Sequence, residues 1–106
     1  MSRLIIITGT SRGIGLNLAK SYLDDGDIVI GCARNQSNLT HPNYHHYTID
    51  ASNESAVIDM VRDLGRKFGK IHALINNAGA ASLNHIITTT ASTADKLYQA
   101  NFKSTF

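Results

Sequence analysis

Short apolar runs alternate with amphipathic stretches along most of the chain. Leu4–Ile7 is a β-branched apolar run, typical of a buried strand. Apolar residues then recur at helical spacing from about Ile14 to Leu23, which predicts a helix. Gly26 follows this helix and suits the left-handed conformation that commonly ends helices. The first third of the chain therefore predicts a strand followed by a helix.

The same alternation continues downstream. Ile28 to about Ala33 predicts a second buried strand, and the weakly alternating Tyr44–Ile49 predicts a third. Ser52 is a candidate N-cap for a second helix, which Gly69 would follow. The fourth predicted strand is Ile71–Ile75. The apolar face of the second helix consists of Val57, Ile58, Val61, Leu64 and Phe68.

The last part of the chain predicts a third helix. Ser92 and Asp95 have the spacing of a capping box at its start. Its inward face would carry Leu97, Tyr98, Phe102 and Thr105. Apolar strands between amphipathic helices predict an α/β fold with a parallel sheet covered on both faces. In this arrangement the fourth strand would be an open, apolar edge of the sheet.

Composition narrows the class of protein. The chain has 106 residues, 42% of them hydrophobic, which suits one packed domain at most. Its formal net charge is +2, and the ten Lys and Arg residues are scattered, so nucleic acid is not an expected partner. No membrane span, signal-peptide pattern or paired histidine spacing for a metal is found in the sequence. The single cysteine, Cys32, favours a cytoplasmic location.

Three glycines follow the first strand in the stretch Thr8–Gly15, with the sequence TGTSRGIG. A helix N-terminus offers free N–H donors and a partial positive charge, and glycines let a phosphate approach them. The spacing of Gly9, Gly13 and Gly15 is GxxxGxG, which differs from the usual GxGxxG fingerprint and from a P-loop. A tight turn without a ligand is the alternative, but the strand before and the helix after favour a phosphate site.

Two motifs together resemble the short-chain dehydrogenase/reductase family. Thr8–Gly15 matches its TGxxxGIG cofactor motif, and Asn76–Gly79 matches its NNAG motif. The resemblance implies a Rossmann-type doubly wound parallel sheet, with its first four strands in the order 3-2-1-4. It also implies hydride transfer between a nicotinamide cofactor and a small carbonyl or alcohol substrate, in a homo-oligomer such as a dimer or tetramer. The cofactor-binding residues implied by the two motifs are Gly9, Thr10, Ser11, Arg12, Gly13, Ile14, Gly15, Asn77, Ala78 and Gly79.

The end of the second strand bears on which dinucleotide binds. NAD-specific dinucleotide folds place an acidic residue there for the ribose 2′-OH. In this chain the corresponding residue is Ala33, followed by Arg34, and Arg12 lies in the glycine loop. Two guanidinium groups near one phosphate would give charge-assisted contacts, so the sequence predicts NADP(H). The alternatives are that Arg34 is a solvated loop residue and that the cofactor is NAD(H).

The resemblance assigns three further residues. Asp50, after the third strand, would accept a hydrogen bond from the adenine amino group, with the backbone N–H of Ala51 nearby. Asp50 could instead, or in addition, serve as a turn or capping residue. Asn101, on the predicted last helix, would help to hold a water of the proton relay. It is the catalytic candidate in this chain.

The family's YxxxK motif, whose Tyr acts as general acid/base, does not occur in the sequence. We therefore expect residues 1–106 to be the N-terminal dinucleotide-binding part of a longer Rossmann domain whose catalytic half lies further along. A non-catalytic nucleotide-binding or regulatory protein on the same fold is the alternative. The substrate itself is not predicted, because fold and function are separable.

Overall fold

Five parallel strands and two helices make up the part of the chain that the computed structural model describes, residues 3–11, 13–77 and 98–101. In chain order they are β1 (Leu4–Thr8), α1 (Gly13–Asp24), β2 (Ile28–Ala33), β3 (Tyr44–Thr48), α2 (Glu54–Phe68), β4 (Ala73–Asn76) and β5 (Tyr98–Asn101). The first six lie within a few residues of the predicted bounds.

The sheet has the strand order β3-β2-β1-β4-β5, and every neighbouring pair is parallel. The prediction of an α/β fold with the order 3-2-1-4 is confirmed. Its central strand, β1, is buried at all five residues. Parallel strands buried on both faces carry near-continuous apolar runs, and LIIIT in β1 is such a run.

β5 corrects the prediction of a helix over its residues. Tyr98–Asn101 pairs with β4 in parallel, with Cα partners from Ala73↔Tyr98 to Asn76↔Asn101. The sequence predicts β4 as an edge strand, but β5 lies beside it. The physical reason is that β4 is fully buried, and a further strand satisfies backbone groups that an open edge would leave unpaired. The rest of the predicted helix, including its Ser92–Asp95 start, lies outside the described residues.

The side chains of the central strands alternate between two apolar layers. Leu4 and Ile6 pack on the α2 side of the sheet with Val57 and Leu64. Ile5 and Ile7 pack on the opposite side, with α1 residues such as Ala19 and Leu23 in a second cluster. Each face of the sheet is thus covered by one of the two described helices, as a doubly wound fold requires.

The start of α2 corrects a second prediction. Its N-cap is Asn53 rather than Ser52, and the Asn53 side chain accepts a hydrogen bond from the N–H of Ala56 at 3.2 Å. Ser52 is unavailable because its N–H and hydroxyl both donate to Asp50 Oδ1, at 2.9 and 2.7 Å. Gly69 ends the helix with φ of 84°, as its position predicted.

The amino edge of the sheet is closed by a charged pair. Arg3 donates two hydrogen bonds to the Asp27 carboxylate, at 3.0 and 2.8 Å. Asp27 is nearly buried, and its pKa lies below the usual range, chiefly because of these hydrogen bonds. Nearby, the N–H of Leu4 donates to His72 Nδ1 at 3.0 Å. These contacts hold the start of β1 against its neighbouring strands. They therefore support the strand register that places the carboxyl ends of the strands side by side.

Candidate functional site

The predicted site residues converge at the carboxyl edge of the sheet. Gly9 follows β1, Arg34 follows β2, and Asn77 follows β4. Asp50 lies just beyond the end of β3. Because all these strands are parallel and adjacent, their carboxyl ends meet at one edge. Ligands of open α/β sheets bind at this edge, outside the ends of the strands.

The two sequence motifs are in direct contact, although 68 positions separate the contacting residues. The Thr8 hydroxyl hydrogen-bonds to Asn76 Oδ1 at 3.1 Å in the buried interior. The side-chain amide of Asn77 donates to the carbonyl oxygen of Gly9 at 3.4 Å. Asn76 and Asn77 therefore tie the end of β4 to the glycine loop, and the two motifs form one structural unit.

The glycines of the loop are required by its backbone. Gly9 and Gly13 have φ of 69° and 65°, the left-handed region that other residues rarely adopt. Gly15 has a different reason, since a Cβ there would collide with the carbonyl oxygen of Gly9 and lie 2.9 Å from Nδ2 of Asn77. The first turn of α1 thus packs directly against the backbone of the glycine loop.

The N-terminus of α1 suits an anion. Its first turn contains no acidic residue, and a helix N-terminus is a favourable place for a phosphate. Beside it, Ile14 exposes 58% of its surface, and no other large apolar residue in the described ranges is classed as exposed. Donor groups next to an exposed apolar side chain fit a ligand that has both phosphates and apolar rings.

The loop side chains differ in their surroundings. Ser11 is half-buried, whereas Thr10 is fully buried and its hydroxyl lies 2.9 Å from that of Tyr44. The Thr10 hydroxyl is therefore engaged within the fold. Arg12 lies outside the described residues, so the predicted pair of arginines is described only at Arg34.

Arg34 and Asp50 lie near each other at the ends of β2 and β3. Arg34 is exposed and forms no ion pair within the described part of the chain. Hydrogen bonds from Ser52 hold the pKa of Asp50 below its usual range, with a smaller effect from the charge of Arg34. The turn function considered for Asp50 is thus present. Ala51 follows in the chain and is buried.

Three other predicted site residues differ in what the structure shows. Ala78 and Gly79 lie outside the described residues. Asn101 lies on β5 as the Cα partner of Asn76, at the carboxyl end of the sheet. Its predicted place on a helix was wrong, and its role in a proton relay stays a prediction.

Sequence reasoning missed a chain of hydrogen bonds beside the glycine loop. The Tyr44 hydroxyl lies 2.9 Å from Thr10 Oγ1 and 2.7 Å from Nδ1 of His46. His46 Nε2 lies 2.9 Å from the carbonyl oxygen of Asn35. The signal that could have found it is Gly31, a glycine inside an apolar strand, which often marks a close approach by another group.

Cys32 is a buried core residue, and its burial raises the pKa of the thiol to about 12. Among residues 3–11, 13–77 and 98–101, no three His, Cys, Asp or Glu side chains are grouped so as to hold a metal ion. No helix in the same ranges has the length and apolar character needed to cross a membrane.

Comparison with known proteins agrees with this geometry. Residues 3–106 match the model of the short chain dehydrogenase family. An NADPH-dependent pterin aldehyde reductase from Arabidopsis thaliana is 33% identical over an alignment of 111 positions, which covers 96% of this chain and 46% of that protein.

Solved structures share the fold. A short chain dehydrogenase from Leptospira borgpetersenii with bound NAD+ has a TM-score of 0.85 at 20% identity, over 98% of this chain and 52% of that one. ElxO with NADP bound has a TM-score of 0.81 at 18% identity, over 98% and 56% of the two chains. The chain spans about half the length, or less, of the curated relatives that it matches.

Proposed function

Because the chain belongs to the short-chain dehydrogenase family, we propose that it is the dinucleotide-binding part of an NADP(H)-dependent oxidoreductase. The full-length protein would reduce a carbonyl compound or oxidise an alcohol. The observation that carries the proposal is the contact between Asn77 and Gly9 beside the tightly packed Gly15. That contact joins the two motifs into a cradle at the N-terminus of α1.

The cradle fits a pyrophosphate. Gly9 and Gly13 have the positive φ that shapes the loop leading into α1. The first turn of α1 contains no acidic residue that would repel a phosphate. Backbone N–H groups there would bind the phosphates without any side-chain cation. Ile14 would lie against an apolar part of the same ligand, which accounts for its exposure. When bound, the nicotinamide would supply or take up the hydride.

Arg34 supports NADP(H) over NAD(H). Its exposed guanidinium follows β2, where an acidic residue would repel a 2′-phosphate. Asp50 lies close enough for Arg34 to affect its pKa, but its Oδ1 accepts two hydrogen bonds from Ser52. Arg34 forms no ion pair in the described part of the chain, so its guanidinium would be available to a phosphate. The NADPH-dependent relative from Arabidopsis thaliana is in keeping with this choice.

Substitution of Arg34 by Asp tests the cofactor assignment. We expect Arg34→Asp in the full-length protein to weaken NADPH binding about 10- to 100-fold, since one charge-assisted contact is replaced by repulsion. NADH affinity should change little or improve. Fluorescence titration with both cofactors gives the two dissociation constants.

Arg62→Asp is the matched control, because Arg62 is an exposed arginine on α2. It should leave both affinities unchanged. Equal losses of NADPH affinity in the two variants would show a general charge effect, and the NADP(H) assignment would then be wrong.

A further inference from the structure

Three side chains connect the glycine loop to the segment that follows β2. Thr10 lies in the loop, Tyr44 and His46 lie on β3, and His46 reaches the carbonyl oxygen of Asn35. The three heavy-atom distances are 2.9, 2.7 and 2.9 Å, all within good hydrogen-bond range. Asn35 is the residue directly after Arg34.

When the His46 imidazole is neutral, each hydrogen bond of this chain has a defined donor and acceptor. A backbone carbonyl only accepts, so His46 Nε2 carries the proton and donates to Asn35. Nδ1 of the same ring is then an acceptor, and the Tyr44 hydroxyl donates to it. The Tyr44 oxygen in turn accepts from the Thr10 hydroxyl. All three side chains are thereby satisfied in a single consistent pattern.

The sheet is built around this chain of hydrogen bonds. A Cβ on Gly31 would collide with the Tyr44 hydroxyl and lie 2.5 Å from Oγ1 of Thr10. The glycine at this central, buried position of β2 therefore leaves room for the hydroxyls of Tyr44 and Thr10 to lie within hydrogen-bond distance. Thr10 is fully buried and Tyr44 nearly so, which makes loss of either hydrogen bond costly.

The segment that follows β2 is otherwise largely polar and exposed. Its side-chain hydrogen bonds include the His46 contact to Asn35 and two local ones, at Ser37 and His41. Ser37 also interacts with Tyr44, and Leu39 packs against the apolar layer on the α1 side of the sheet. Of these contacts, the one to Asn35 links the start of this segment to β3. It lies one residue from Arg34, the residue assigned above to the 2′-phosphate.

We propose that Tyr44 and His46 are positioning residues for the adenosine-ribose end of the cofactor. They hold the Arg34–Asn35 segment at a fixed distance from the glycine loop, so that the phosphate seat and the ribose-phosphate contact fit one ligand. This inference rests on the proposed function. It adds two residues that touch no cofactor themselves and act through Thr10 and Asn35.

Conservative variants in the full-length protein test the proposal. Tyr44→Phe keeps the ring in the core and removes the hydroxyl. His46→Asn keeps an acceptor near the Nδ1 position but is too short to reach Asn35, whereas His46→Gln places an amide donor near the Nε2 position. We expect Tyr44→Phe and His46→Asn to raise the dissociation constant for NADPH about 3- to 10-fold. His46→Gln should restore affinity, a rescue that a merely structural loss would not show.

Tyr47→Phe is the matched control. Tyr47 lies on the same strand, and its hydroxyl donates to Asp63 of α2 at 2.6 Å, away from the glycine loop. The control removes a half-buried hydroxyl that is likewise hydrogen-bonded, so it should lower the melting temperature and leave NADPH affinity unchanged. Melting temperatures of all variants separate loss of fold from loss of positioning.

The outcomes distinguish this inference from the proposed function. Unchanged cofactor affinity in folded Tyr44→Phe and His46→Asn would overturn the positioning role. A wild type that prefers NADH would refute the NADP(H) assignment, and weaker NADH binding in the same two variants would then still support positioning. A wild type that binds neither dinucleotide would overturn both.

Discussion

The two helices of the described structure are stabilised differently at their ends. α2 has Asn53 as N-cap and Glu54 in its first turn, with Arg66 and Lys67 in its last turn. These charges complement the helix dipole at both ends. α1 has no acid in its first turn and no base in its last turn. Each helix covers one face of the same sheet.

This difference indicates what each helix is for. α2 is capped at both ends by residues of the chain itself, Asn53 and Gly69. α1 begins at the glycine loop and lacks an acidic residue that would compete with an anion. In the proposed function, a phosphate would complete its N-terminus and supply the charge that Glu54 supplies in α2. The helix that is less well stabilised by its own sequence is the one that carries the site.

Among substitutions that test this difference between the helices, the largest effect is expected at Gly15. Gly15→Ala would drive a Cβ into the carbonyl oxygen of Gly9, so α1 and the glycine loop must move apart. We expect a loss of stability of about 1–3 kcal/mol and weaker binding of both NADPH and NADH, about 10- to 100-fold. Chemical denaturation and cofactor titration give the two values. An unchanged affinity would show that this packing does not shape the phosphate seat.

A smaller effect is expected at the N-terminus of α2. Asn53→Ala removes the cap and should lower the free energy of unfolding by about 1 kcal/mol, with cofactor affinity unchanged. Ser52→Ala is its control, because Ser52 bonds to Asp50 and does not cap the helix. Urea denaturation of the two variants makes the comparison. A larger loss for Ser52→Ala would identify Ser52 as the cap after all.

The smallest effect has the opposite sign. Gly65 lies in the interior of α2, and a Cβ there would meet nothing within 4 Å. Gly65→Ala should therefore stabilise the protein by about 0.5–1 kcal/mol, because Gly is a poor helix former. The same substitution thus damages α1 and improves α2. Destabilisation in urea at Gly65 would remove the contrast between the two helices.

Much of the fold could be predicted because three of its strands are short, apolar and buried. Leu4–Ile7, Ile28–Ala33 and Ile71–Ile75 stand out from the amphipathic helices between them. β5 could not be predicted, since its four residues, Tyr98–Asn101, carry no distinctive strand pattern. The choice of Asn53 over Ser52 depends on which acceptor is nearest in space, which sequence spacing does not reveal.

The candidate site was predictable in its backbone and not in its supporting side chains. The glycines and Asn77 belong to two sequence motifs, and the close backbone packing between them requires these residue types. Tyr44 and His46 lie in a polar edge strand, where their sequence pattern is ordinary. Only the missing side chain at Gly31, on the neighbouring strand, indicates that something must approach there.

The bond between Asn77 and Gly9 also has a consequence for how the chain folds. Closing a flexible loop of 68 residues costs about 4 kcal/mol of chain entropy. β1, α1 and β2 can meet through short-range contacts, but the glycine loop gains its last partner only when β4 docks beside β1. Non-local pairing of this kind is slow. Under the proposed function, competence to bind a nucleotide would therefore come late in folding, after the sheet has been assembled at least as far as its fourth strand.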